Sequence, residues 1–143
     1  MADLDNRRYA ENPWRVTLRT SAPDAEGWRA GSLRLAREAV GDAPAASIEC
    51  EAALYERDLD RLVAALRSLA DADEGLVEFE PLEPSFLVHG RSVAADDVEL
   101  AWFVDEGMRD SSYSTGTGAG VLLRVDAAAL RAFADALEAE GAG

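Results

Sequence analysis

The stretch that decides the fold is "ASIECEAALYERDLDRLVAALRSLA", residues 46–70, because its hydrophobic period changes in the middle. Up to Tyr55, apolar and polar residues alternate, which is the pattern of a half-buried strand. From Asp58 onward the apolar residues follow the i, i+3, i+4, i+7 spacing of an amphipathic helix, and Asp58 is predicted to cap its N-terminus. The apolar positions of this helix are Leu59, Leu62, Val63, Leu66 and Leu69. The stretch therefore predicts a strand that leads into a helix.

The same alternation extends in both directions from this stretch. Upstream it covers "WRVTLRT" and "GSLRLARE", and downstream it covers "LVEFEPLEP", "SFLVHGRSV", "DVELAWFVDEG" and "AGVLLRV". A second helix, with Leu130, Phe133 and Leu137 on one side, follows the last strand. Because the connections are short and the strands alternate, we expect an α+β fold. In it, a largely antiparallel sheet of about six to seven strands, in the order βββαββββα, carries both helices on one face.

The two predicted helices resemble each other. "LDRLVAAL" from Leu59 and "LRAFADAL" from Leu130 both read Leu, two residues, an apolar residue, two residues and Ala-Leu. Amphipathic helices converge easily on such patterns. An internal duplication and a chance similarity both remain open at this point.

Length and composition predict one globular domain. The chain has 143 residues, of which 48% are hydrophobic and 29% are charged. A chain of this length buries enough apolar surface to fold without a metal or a disulfide. We therefore expect residues 1–143 to form a single domain, with residues 1–12 as a flexible N-terminal tail.

The charge balance limits the choice of partner. The chain carries 28 acidic and 14 basic residues, for a net charge of -14. Such a charge repels nucleic acid and anionic lipid, so we expect no binding to nucleic acid or membrane and favour a basic protein as partner. Monomer and homodimer both remain open. The N-terminus lacks the apolar core of a signal peptide, and no run of about 18 apolar residues is present, so a cytoplasmic location is expected.

The glycine-rich stretch "STGTGAGVLLRVD", residues 114–126, resembles a phosphate-binding loop only in its spacing. A phosphate loop needs a helix directly after the glycines, whereas these glycines precede a predicted strand and the chain contains no Lys. The stretch is better explained as a flexible hairpin arm.

No catalytic or metal-binding set is apparent. His89 is the only histidine and Cys50 the only cysteine, and together they cannot supply a transition-metal site. Cys50 is predicted to be a core residue whose burial raises the thiol pKa. We therefore expect neither enzymatic activity nor a cofactor.

The carboxylates on the predicted strands are the most informative polar group. Glu49, Glu51, Glu78, Glu80 and Glu99 fall on the polar faces of three strands. They either form cross-strand ion pairs with arginines on a solvated sheet face, or present an acidic surface to a basic protein. An aromatic anchor for such a partner is offered by the loop that carries Met108, Arg109 and Tyr113. The predicted partner-binding residues are thus Glu49, Glu51, Glu78, Glu80, Glu99, Met108, Arg109 and Tyr113.

The phrases "EFEPLEPSFLVHGR", "VELAWFVDEG" and "GAGVLLRVDAAALRAFADAL" resemble the WapI-type immunity proteins of bacterial polymorphic toxin systems and their uncharacterised actinobacterial relatives. The resemblance spans roughly residues 14–140 and contains no chemical motif. It implies a non-enzymatic cytoplasmic protein that binds and blocks a cognate toxin domain, often a nuclease with a basic active site. It assigns no binding residue.

The sequence thus favours an acidic protein-binding module, specifically an immunity protein that occludes a toxin by steric and electrostatic means. The alternative is a small-ligand-binding or regulatory domain, with a pocket between sheet and helices lined by aromatic residues such as Trp28 and Tyr113.

Overall fold

The structure is a computed structural model that describes residues 1–55, 57–72, 75–104 and 119–142. The described elements are β1 (Ala2–Asp5), β2 (Trp14–Thr20), β3 (Trp28–Arg37), β4 (Ala46–Tyr55), α1 (Asp58–Ala70), β5 (Leu76–Phe79), β6 (Phe86–Ala94), β7 (Asp97–Val104), β8 (Gly120–Val125) and α2 (Ala127–Ala142).

The strands form two antiparallel sheets rather than one. The first sheet has the order β1-β2-β3-β4 and the second has the order β5-β6-β7-β8. The predicted α+β class, the antiparallel pairing and the two helices are confirmed. The prediction of a single sheet of six to seven strands is wrong. Alternation identifies a strand and its buried face, but it carries no information about which strand lies beside it.

The element order is ββββαββββα, so the predicted order missed one strand. That strand is β1, which lies within the segment expected to be a tail and pairs with β2 through Ala2 opposite Leu18 and Leu4 opposite Val16. Ala2 and Leu4 are fully buried. β1 is short, one of its two inward residues is a small alanine, and the polar segment 6–12 follows it, so its pattern was attributed to a tail.

The two halves of the chain have the same architecture, a four-stranded meander followed by a helix, and they exchange their helices. The helix of the first half, α1, packs against β5 and β6 of the second sheet. The helix of the second half, α2, packs against β1 and β2 of the first sheet, and the two helices also contact each other. The similarity between the two helix sequences thus has a structural counterpart.

One hydrophobic core fills the space between the sheets and the helices. Trp102 of β7 is fully buried, with its ring 6.3 Å from that of Phe86 and 5.9 Å from that of Phe133 in α2. Gly90 lets α1 approach β6 closely, because a Cβ atom at this position would overlap Leu69 of α1 and lie 2.8 Å from Leu100. The inner faces of both sheets are therefore buried in the core.

Asp58 has a different role from the predicted one. It is the first residue of α1, whereas the capping position belongs to Arg57, which makes no side-chain capping bond. The buried Asp58 carboxylate instead accepts the backbone N–H groups of Tyr55 at 2.9 Å and Leu82 at 3.1 Å. It also pairs with Arg61 at 2.7 Å. Asp58 thus ties the end of the first sheet to the turn after β5.

Candidate partner-binding surface

The outer faces of the two sheets are the broad surfaces available to a partner, because the inner faces are buried. They differ in chemistry. The outer face of the first sheet is formed mainly by charged and small residues, with the aromatic pair of Trp28 and Tyr55 at one end. The outer face of the second sheet combines ion pairs with exposed apolar side chains.

Ion pairs and hydrogen bonds link β1 and β2 on the outer face of the first sheet. Arg15 binds Asp5 of the neighbouring strand through two bonds, with Nε 2.6 Å from Oδ1 and Nη2 3.1 Å from Oδ2. This hydrogen-bonded carboxylate raises the pKa of Arg15. The hydroxyl of Thr17 donates to Asp3 at 2.6 Å. Such cross-strand pairs stabilise a sheet and leave little for a partner to satisfy.

Two of the predicted binding residues, Glu49 and Glu51, lie on this first face. In the register of β3 and β4, Glu49 stands opposite Arg34 and Glu51 opposite Ser32. Glu49 lines a polar concavity of about 430 Å³ together with Arg15, Arg19 and other residues. The arrangement corresponds to the solvated, charge-mixed sheet face that was one of the two sequence-based interpretations.

Glu99, on the second sheet, is already paired. Its carboxylate lies 3.2 Å from Nε of Arg91 on β6 and 3.8 Å from Nη1 of Arg124 on β8. Arg124 also binds Asp97 through both carboxylate oxygens, and this hydrogen bonding lowers the pKa of Asp97. These four residues form a closed row of charges across the second sheet, so Glu99 adds little net negative charge to the surface.

The outer face of the second sheet also carries exposed apolar side chains. Leu76 is 74% exposed and Leu122 is 52% exposed. His89 contacts Glu78, with Nδ1 3.5 Å from the carboxylate, and its ring meets that of Phe103 edge-on at 6.0 Å. We call the following six outward-facing residues the Leu122 surface: Leu76, Glu78, His89, Ala101, Phe103 and Leu122.

Two concavities meet at this surface. One, of about 480 Å³, is lined by residues that include Leu76, His89 and Leu122. The other, of about 580 Å³, lies between β8 and the segment after β1 and is lined by residues that include Arg7 and Leu122. Because Leu122 borders both concavities, they form one continuous groove on the outer side of the second sheet.

The turn after β5 adds an acidic border. Glu78 and Glu83 are exposed, Leu82 between them is 65% exposed, and Glu80 is half-buried. The backbone of this turn is held from below, since Asp58 accepts the N–H of Leu82 and Arg61 donates to the carbonyl of Glu80 at 3.3 Å. We call Glu78, Leu82 and Glu83 the β5 lip.

The structure therefore does not gather the predicted carboxylates into one site. Glu49 and Glu51 lie on the first sheet, Glu78 and Glu99 on the second, and Glu80 in the turn that follows β5. The predicted contacts Met108, Arg109 and Tyr113 lie outside the described residues, as does the first part of the glycine-rich stretch.

Sequence reasoning missed the exposed apolar residues, although the sequence contains a signal for them. Each follows or precedes a core residue directly, which breaks strict alternation. The doublets are Leu76-Val77, Phe103-Val104 and Leu122-Leu123. In each doublet one member faces the core and the other faces outward.

Two further expectations concern Cys50 and Trp28. Cys50 faces the core side of β4, and burial raises the pKa of its thiol to about 11, as predicted. Trp28 lies on the outer side of the first sheet, where its ring packs against that of Tyr55 at a centroid distance of 4.5 Å.

Within the described part of the chain, no three His, Cys, Asp or Glu side chains are placed to hold a metal ion. None of the helices described is long and apolar enough to cross a membrane.

The chain matches the model of the immunity protein WapI-like family over residues 8–142. This match covers nearly the whole sequence, and the chain therefore belongs to the WapI-like immunity protein family, as its resemblance predicted. No curated protein and no solved structure matches it.

Proposed function

We propose that this protein is an immunity protein that binds a cognate toxin domain and blocks it by covering a surface that the toxin needs. The family match over residues 8–142 is the observation that carries this proposal. The action is steric and electrostatic, with no bond made or broken, so the protein acts as a stoichiometric inhibitor rather than as an enzyme.

The net charge of -14 supports a basic target. Opposite net charges on two proteins accelerate their encounter and discriminate against wrong partners, while contributing less to the lifetime of the complex. The exposed carboxylates Glu49, Glu51 and Glu78 contribute to this field, as does the half-buried Glu80. Their proposed role is to steer a basic toxin domain toward the protein.

The small-ligand alternative has no comparable support. It needs a pocket between the sheets and the helices, but the buried side chains of Trp102, Phe86 and Phe133 pack there. Trp28, which was expected to line such a pocket, lies on the outer side of the first sheet.

The test is co-expression with the toxin domain encoded beside this gene, in cells that the toxin alone arrests. We expect growth to be restored and the two proteins to copurify at a one-to-one ratio. A toxin domain of another polymorphic system serves as the control and should still arrest growth. Continued arrest by the cognate toxin, together with the absence of a complex, would overturn the proposal.

A further inference from the structure

We propose that the Leu122 surface and the adjoining β5 lip are the docking site for the toxin, which meets them with an apolar patch bordered by Lys or Arg side chains. This inference rests on the proposed function and adds the location of the binding site and the chemistry of the surface that fits it.

The first argument is the exposure of apolar side chains that the fold does not need. Leu122 projects outward while its neighbour Leu123 fills the core, and Leu76 is largely exposed beside the half-buried Val77. Contiguous apolar groups at the surface of a soluble protein mark sites of interaction, whereas isolated ones do not. Here Leu122 on β8 stands opposite Ala101 on β7, and Phe103 lies two residues further along β7, so these side chains form a patch. Leu76, on the opposite edge strand, borders the same concavity.

The second argument is the local charge. The row of Arg91, Glu99, Arg124 and Asp97 beside the patch is paired internally. The centre of a protein interface is depleted of unpaired charge and favours aromatic and arginine side chains. The Leu122 surface has such a composition, because its neighbouring charges are balanced and its centre is apolar, although the whole chain carries a net charge of -14.

The third argument identifies the partner's charge. In the β5 lip, Glu78 faces the imidazole of His89, and no guanidinium of the described residues lies within ion-pair distance of Glu78 or Glu83. A basic side chain of the toxin would find these carboxylates at the border of the apolar patch. An apolar patch on the toxin with Lys or Arg side chains at its border would therefore complement this surface in both polarity and charge.

The fourth argument is preorganisation. The Leu122 surface lies on paired strands, and the β5 lip is anchored by the buried Asp58. Binding to a surface that is already ordered loses less conformational entropy than binding that orders a loop. The outer face of the first sheet is equally ordered, but its centre carries alternating charged and small side chains, with no comparable exposed leucine on its described strands.

The decisive experiment compares Leu122→Arg with Ser47→Arg. Both positions lie on the outer faces of strands at the ends of their sheets, and both variants add one positive charge to an exposed site. With a catalytically inactive form of the cognate toxin, Leu122→Arg should raise Kd by at least about 30-fold, as expected for a residue in the centre of an interface. Ser47→Arg should change Kd by less than about 3-fold. Circular dichroism and urea unfolding establish that both variants are folded.

A second pair of variants tests the β5 lip. The double variant Glu78→Gln and Glu83→Gln should slow association and weaken its dependence on salt, with a smaller effect on dissociation. The control is the double variant Glu49→Gln and Glu51→Gln, which removes two negative charges from the first sheet instead. The inference predicts that this control slows association less than the β5 lip variant does.

The outcomes separate the two proposals. If the unmodified protein does not bind the toxin, the proposed function fails. If it binds and Leu122→Arg binds equally well, the docking site is wrong while the function stands. If light scattering shows a dimer that Leu122→Arg dissociates, the surface belongs to a second copy of this chain and the inference is overturned.

Discussion

The outer faces of the two sheets are built from the same alternating pattern, yet they differ in the apolar surface that they expose beside their ion pairs. On the first sheet, Asp5 meets Arg15 and Asp3 meets Thr17 across neighbouring strands. On the second sheet, a similar charged row stands beside Leu76 and Leu122, which touch solvent. A self-satisfied face contributes to solubility and stability, whereas exposed apolar area lowers its free energy only when a partner covers it.

The largest expected effect on stability is a difference between the inward and outward leucines of β8. Leu123→Ala should lower the free energy of unfolding by about 2–5 kcal/mol, because it leaves a cavity in the core. Leu122→Ala should cost less than about 1 kcal/mol, because the side chain is half-exposed. Urea unfolding measures both. If the Leu122 variant were as unstable as the Leu123 variant, the apolar outer residue would be structural, and the contrast between the two outer faces would disappear.

The next effect concerns the anchor between the first sheet and the β5 lip. Asp58→Ala removes the acceptor of two backbone N–H groups and should cost about 2 kcal/mol in the free energy of unfolding. Hydrogen exchange at the amide of Leu82 should accelerate as well. Asp60→Ala, on an exposed position of the same helix turn, is the control and should change stability by less than about 0.5 kcal/mol. Unchanged exchange at Leu82 would show that the lip does not depend on Asp58.

The smallest effect tests whether the first face is satisfied by its own ion pairs. Arg15→Gln should lower the free energy of unfolding by about 0.2–1 kcal/mol, since Arg15 and Asp5 are both partly exposed. The difference in unfolding free energy between the variant and the unmodified protein should shrink in 1 M salt, because the Debye length there is about 3 Å and the charges are screened from each other. A loss that stays constant with added salt would mean that Arg15 acts through packing, such as its contact with the ring of Tyr9, rather than through charge.

Alternation and helical spacing were enough to predict the strands from Trp14 onward, including the four-residue β5, and both helices. They did not reveal β1, where one of the two inward residues is alanine and a polar segment follows, or the division into two sheets. Glu99 lies on the outer face as its position in the pattern predicts, but its two arginine partners come from β6 and β8 and depend on strand register. The outward position of Leu122, in contrast, can be read from the alternation of its strand, because Val121, Leu123 and Val125 form the inward face.

The reciprocal packing of the helices has a consequence for synthesis on the ribosome. After the first half has emerged, β1 and β2 have no helix to cover them, because α2 follows both sheets in the chain. Translation proceeds at about 5–20 residues per second, so this apolar face waits for seconds before its cover arrives. A chain released before α2 is made would lack the cover of its first sheet. The proposed protection against a toxin would therefore start only when the second helix has docked.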